Sequence, residues 1–251
     1  MTATEQRGAP DDGGQHTDSH GDARRLIELF EELVPTLGAA LPPETEVVLH
    51  DLAKLPNSIV AIHGTTTGRG LGDPATDLLL ERSYTGQLDH MIGYRTELPD
   101  GTRLRCSTII IRDRARTPVA ALCFNTSLDG WERVHSIATS ILGVEPPSQS
   151  DHQNSDIAFY NYPRDSSTAS QNETFVRDID ELAQAMIRRA ISDTGVPVEL
   201  MQKHHKIAVV KILKKSGVFT LKNAAETVAS KLGVTRFTVY NYLNELDQDA
   251  T

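Results

Sequence analysis

The chain has 251 residues, 39% of them apolar, enough to core one large domain or two modest ones, and a formal net charge of −9 argues against a general polyanion binder. No apolar run reaches the roughly eighteen residues of a membrane span, and the polar, acidic first residues do not read as a secretory signal. Two cysteines build no disulfide framework, so the expected location is the cytoplasm.

Residues 1–22 are rich in Gly, Asp, Gln, Thr and His and almost free of large apolar groups, which predicts a disordered tail. From Ala23, residues Leu26, Leu29, Phe30, Leu33 and Leu37 recur on one helical face until Pro42-Pro43 stops the pattern. Thr45 to Leu52 and Ser58 to His63 are β-branched runs separated by a Pro56-Asn57 turn signal. Gly64 to Gly72 is a threonine and glycine loop, and Pro74 opens a short helix to about Glu81. Met91 to Leu98 and Thr102 to Arg112 read as strands around the Pro99-Asp100-Gly101 hairpin turn, and Thr117 to Thr126 as another. An α+β unit follows, with a five-stranded antiparallel sheet, helices on one side and a cupped face. Asp129 to Leu142 closes it as a helix, giving a domain over 23–143. If the corner after Arg112 centres between Arg114 and Ala115, Cys106 and Cys123 face each other across two strands, either as a redox pair or as small buried apolar groups.

Residues 144–172 turn polar and read as a flexible linker, with an apolar island at Ile157 to Tyr162. Phe175, Ile179, Leu182, Met186 and Ala190 then recur at helical steps over a connecting segment, 173–194, either as a core stripe or as a seam against a second copy. Gly195 to Pro197 breaks that helix. A last domain, 198–247, begins with a helix from Val198 to Lys215 that turns Leu200, Ile207, Val210 and Leu213 inward and stops at Ser216-Gly217.

Residues Ala225 to Leu243 carry the spacing of a helix-turn-helix. Ala229 is small where two helices cross, Gly233 can take a left-handed conformation, Val234 plugs the turn and Thr235 can cap the second helix. Val228, Leu232, Val239, Tyr242 and Leu243 form the seam between the helices. The remaining face offers Arg236, Phe237, Thr238, Tyr240 and Asn241 to a major groove, where Arg matches guanine, Asn matches adenine, and Thr or Phe meets a thymine methyl. From Met201 to Leu246 there are eight Lys or Arg against two acids, and Lys222 and Lys231 are the phosphate candidates beside the motif. Double-stranded DNA is therefore the expected partner, approached by a homodimer on paired half-sites.

With those residues laid out, the sequence resembles the YheO-like regulator family, also called the DauR-like transcriptional regulators. The resemblance rests on Glu46 to Leu52, Asn57 to Ile62, Thr67 to Arg69 with Gly72 to Pro74, Ala121 to Asn125, and about Lys206 to Leu243. It implies a PAS-like fold for the first domain, a regulator or repressor role, and a small-molecule effector.

Candidate effector contacts are His50 and Asp51 at a strand end, Arg69 in the glycine loop, and Asn57 and Asn125 within the matching stretches. A guanidinium meets a carboxylate bidentately while Asp51 accepts from an amine; alternatively, Asp51 closes a turn and His50 is a satisfied strand histidine. No nucleophile elbow, phosphate loop, dinucleotide fingerprint or metal-ligand spacing appears, so neither an enzyme nor a cofactor protein is expected. The competing class is a small-molecule or redox module that acts through a protein partner.

Overall fold

A computed structural model describes residues 14–143 and 173–248, so the linker expected over 144–172 and its island at Ile157 to Tyr162 lie outside the described residues. The first helix, α1 (Gly14–Ala40), begins well inside the segment expected to be a disordered tail. Its buried face is also rotated from the sequence reading. Ile27, Phe30, Val34 and Leu37 pack on the sheet, whereas Leu29 and Leu33 are 59% and 39% exposed.

Five strands follow: β1 (Thr45–Asp51), β2 (Ile59–His63), β3 (Met91–Glu97), β4 (Arg103–Arg112) and β5 (Pro118–Ser127). They form one antiparallel five-stranded sheet, as the strand-like runs predicted, and its order is β2-β1-β5-β4-β3. Helices cover both sides of it, not one. On one face α1 packs on Val47, Leu49, Ala61, Ile111, Ala120 and Leu122. On the other, α2 (Asp77–Thr85) sets Leu79 against Val48, Ile59, Ile110, Ala121 and Cys123. This helix starts three residues after Pro74 because Thr76 is its cap, accepting from the Leu79 amide at 3.3 Å.

Residues 113–117 make a wider corner than expected. Asp113 and Thr117 face each other across the turn, and a register shift follows between the Ile111–Ala120 and Arg112–Pro118 pairs. Both displace the pairing in the same sense. Cys106 therefore stands opposite Asn125, and Cys123 opposite Thr108. The thiols are thus diagonal neighbours, and Cα atoms in that relation typically stand roughly 7–8 Å apart, beyond the usual range of a disulfide. Both are free and buried, and burial pushes Cys123 up to about 12 and Cys106 higher.

After α3 (Asp129–Leu142) the described chain resumes at Glu173 and runs without regular structure to Asp178, whose carboxylate caps α4 (Ile179–Asp193) by accepting from the amides of Asp180 and Glu181. The predicted stripe is thus cut by this cap: Phe175 lies outside the helix. Leu182, Ala183, Met186, Ile187 and Ala190 are buried in a core shared with α5 (Lys203–Lys215), α6 (Ala224–Leu232) and α7 (Arg236–Gln248). That core occupies the face available for pairing with a copy. Leu200, expected inside, lies in a short turn before α5 and is 71% exposed, while Val209, Val210 and Leu213 fill the inward positions. Leu80 of α2 enters the same core, and Gly217 fits against Tyr84 where an added Cβ would come within 3.0 Å of its side chain.

Candidate functional site

The C-terminal surface is built by the crossing of α6 and α7. Ala229 is buried at the crossing, Gly233 is left-handed at φ +60°, and the Val234 amide returns to the Ala229 carbonyl at 3.0 Å. Thr235 caps α7 through its hydroxyl, which accepts from the Thr238 amide at 3.2 Å. With Val228, Leu232, Val239 and Tyr242 buried between the helices, the outer face of the first turns of α7 is left out of the packing. Arg236 and Asn241 are exposed, as are Phe237 at 74% and Tyr240 at 43%, with Thr238 half-buried among them. Lys222 and Lys231 are exposed on the flanks.

What holds Arg236 was not legible from its spacing alone. Its guanidinium donates to Glu226 of α6 at 2.8 Å and to the Tyr240 hydroxyl at 3.2 Å. Glu226 pre-orients the arginine without burying it. Two other bases are tied inside the module, Lys203 to Glu245 and Lys214 to Asp247, both joining α5 to the end of α7.

A second site lies in the N-terminal unit, on the sheet face opposite α1. Alternation aims Glu46 and His50 of β1, Cys106 and Thr108 of β4, and Cys123 and Asn125 of β5 into one cup. Next to the apolar patch under α2, this part of the face carries buried polar side chains: Glu46, His50, Thr108 and Asn125. Glu46, at 0% exposure, accepts from the Thr67 amide at 3.0 Å, the Thr67 hydroxyl at 2.7 Å and the Asn125 amide at 3.1 Å. Arg69 enters from the glycine loop, donates through Nε to the Thr67 hydroxyl at 3.1 Å, and places Nη2 3.7 Å from Glu46. Its Nη1 is buried with no hydrogen-bond partner among the described residues.

The cup is filled by the segment that precedes α4. The Glu173 carboxyl accepts from the Thr76 hydroxyl at 2.6 Å and from the Tyr94 hydroxyl at 2.9 Å, while the Glu173 amide donates to Thr96 at 3.3 Å. Phe175 packs with Met91, Tyr94, Leu104 and Cys106, its ring centre 5.0 Å below the Arg69 guanidinium. Asp77, at the start of α2, accepts from the Thr174 amide at 2.7 Å, from the Thr174 hydroxyl at 3.2 Å and from Arg189 of α4 at 3.3 Å. Burial raises the Glu173 pKa above the ordinary carboxylate value, partly opposed by those two hydroxyls and by Arg69.

Of the predicted effector residues, the cup gathers His50, Arg69 and Asn125. His50 shares a hydrogen bond with Ser58 at 2.9 Å and is fully buried. Asp51 and Asn57 are elsewhere. Asp51 pairs with Ala120 on the α1 face and accepts from the Ala53 amide at 3.0 Å, closing a turn, and Asn57 sits exposed in the turn before β2. Sequence reading missed Glu46, Thr76, Tyr94, Glu173 and Phe175 as site residues; a glutamate heading the apolar run Val47 to Leu49 inside a strand was the available signal.

Burial, followed by the nearby Arg69, holds His50 well below its ordinary pKa of 6.5, so the folded chain contains it neutral. A depressed folded value means the stabilisation is present above pH 6.5 and is lost as pH falls through and below it, because the unfolded chain takes the proton first. His50→Gln is expected to remove this acid-side loss, measured as urea midpoints from pH 7.5 to about 5; parallel pH curves for the two proteins would exclude it.

The model of a YheO-like PAS domain matches residues 21–143, and that of a helix-turn-helix domain matches residues 182–244. The chain is 27% identical over 224 residues to the transcriptional regulator DauR of Pseudomonas aeruginosa, covering 88% of this chain and 95% of that protein. It is 26% identical over 225 residues to the uncharacterized protein YheO of Escherichia coli K12, covering 88% and 84% respectively, and 26% identical over 227 residues to an uncharacterized Haemophilus influenzae protein, covering 89% and 92%. No solved structure matches.

Proposed function

The chain belongs to the family of YheO-like PAS proteins with a C-terminal helix-turn-helix, and from that premise we propose that this DNA-binding transcriptional regulator is a repressor whose N-terminal cup takes a small-molecule effector. In this reading residues 23–143 sense, residues 198–247 read DNA and residues 173–194 join them. The observation that carries it is the bare first half of α7, where Arg236, Phe237, Tyr240 and Asn241 project from a helix whose opposite side is locked into the core. Two such modules in a cytoplasmic homodimer would address half-sites roughly 34 Å apart. The effector acts by preferring one of two poses of the joined helices, and the Asp77 contacts to Thr174 and Arg189 supply a physical connection between cup and reader.

Genome-wide mapping of bound sites supplies the operator. Arg236→Ala is then expected to weaken that operator by roughly 5- to 150-fold, while Lys222→Ala or Lys231→Ala weakens all DNA about equally and lowers the salt slope by about one. Titration at fixed salt tests this; unchanged operator affinity for Arg236→Ala would remove α7 from the interface.

A further inference from the structure

The polar lining of the cup is a donor set for a carboxyl group, and the carboxyl it holds belongs to the chain itself. Thr76 and Tyr94 each spend a hydroxyl proton on Glu173, one on each oxygen. Beside them Arg69 is 6% exposed and keeps Nη1 without a hydrogen-bond acceptor among the described residues. A buried guanidinium nitrogen with no partner is costly, and a group that supplied the missing acceptor would recover that cost. The occupant is also poorly matched to a permanent core. It is a short irregular segment, held by the hydrogen bonds of Glu173 and Thr174 and by the Phe175 ring, whose carboxyl has been taken out of water close to a second acid, Asp77.

We propose that Glu173 and Phe175 are an internal stand-in for the effector, and that the effector is a small monocarboxylic acid carrying a flat apolar or aromatic body. Its carboxylate takes the Thr76 and Tyr94 hydroxyls and adds the free Nη1 of Arg69; its body replaces the Phe175 ring beneath that guanidinium, against Met91 and Leu104. The chain's own segment and the acid cannot be bound together. When the acid enters, the Thr174 bonds to Asp77 break, and the residues leading into α4 are released from the sensing unit. This deepens the proposed ligand control and rests on it only where DNA affinity is the readout.

The test uses the full chain with 3-phenylpropionate as probe and 3-phenylpropanamide as its uncharged counterpart. In the unmodified protein the acid is expected to speed amide hydrogen exchange over residues 173–178 and trypsin cleavage after Arg177, and the amide to do neither. Removing the competitor in Glu173→Ala is expected to tighten binding of the acid at least tenfold by calorimetric titration, with Glu173→Gln as the milder variant should the alanine protein fold poorly. Tyr94→Phe in the Glu173→Ala background is expected to give back several-fold of that gain. Equal response to acid and amide, no change in exchange over 173–178, or no tightening in either Glu173 variant would each overturn the proposal. Operator affinity reports separately: tightening with unchanged DNA binding leaves the carboxyl site standing and removes its control of DNA.

Discussion

Replacing Glu46 by alanine is expected to lower the free energy of unfolding by about 3–5 kcal/mol, the range for breaking a buried ion pair by deleting one partner. Glu46 has no solvent exposure and accepts three hydrogen bonds, from the amide and hydroxyl of Thr67 and from Asn125, besides lying 3.7 Å from Arg69. The substitution removes the acceptor of all these bonds and leaves a guanidinium that already lacks one partner among the described residues, in a medium where unpaired charge is costly. Coulomb attraction alone would not decide the size of the effect, because desolvation of both ions opposes it. The loss comes from what is orphaned. Glu46→Gln retains an acceptor at the Thr67 contacts and is expected to cost less. Urea denaturation followed by far-ultraviolet circular dichroism measures both, and a loss below about 1 kcal/mol for Glu46→Ala would show that water or a rearranged Arg69 compensates it.

Leu232→Ala is expected to cost about 2–5 kcal/mol and to abolish operator binding as the reading surface loses its support. Leu232 ends α6, has no exposure, and fills the junction with α7 together with Val228 and Val239. Ala229 is already small at this crossing and Gly233 has no side chain, so few neighbouring atoms are free to move into the vacated volume. Leu200→Ala makes the contrast within the same unit. At 71% exposure that leucine contributes little, and its removal is expected to stay within about 0.5 kcal/mol. Similar losses from the two substitutions would contradict the packing described for the helical core.

The reading of the C-terminal motif from sequence succeeded because its determinants are local. A small residue, a left-handed glycine and a capping threonine within seven positions specify one turn, whatever the rest of the chain does. The sheet was legible for a related reason, since alternating β-branched runs and a Pro-Asp-Gly turn fix strands and one hairpin. Errors arose where a remote partner decided the outcome. The inward face of α1 turned on Ile27 and Val34, which the sheet selects over Leu29 and Leu33. The cysteine pairing failed on a wide corner and a register shift, neither of which leaves a composition signal. Phe175 was extended into a helical stripe because periodicity alone does not see that Asp178 caps the helix three residues later. Least legible was the cup. Thr76 and Tyr94 meet Glu173 across 97 and 79 positions of sequence, and nothing near any of the three announces the encounter.

That encounter also means the two halves of the polypeptide are interleaved, not strung end to end. A fragment truncated after residue 143 would carry Thr76, Tyr94 and Arg69 without the glutamate and phenylalanine that occupy them, and water would have to flood a hollow shaped for something drier. Such a truncation should melt earlier than the intact polypeptide and recover heat resistance from organic acids in its buffer, so a screen on the amputated half would score an avidity greater than the whole molecule, guarding its own vestibule, displays.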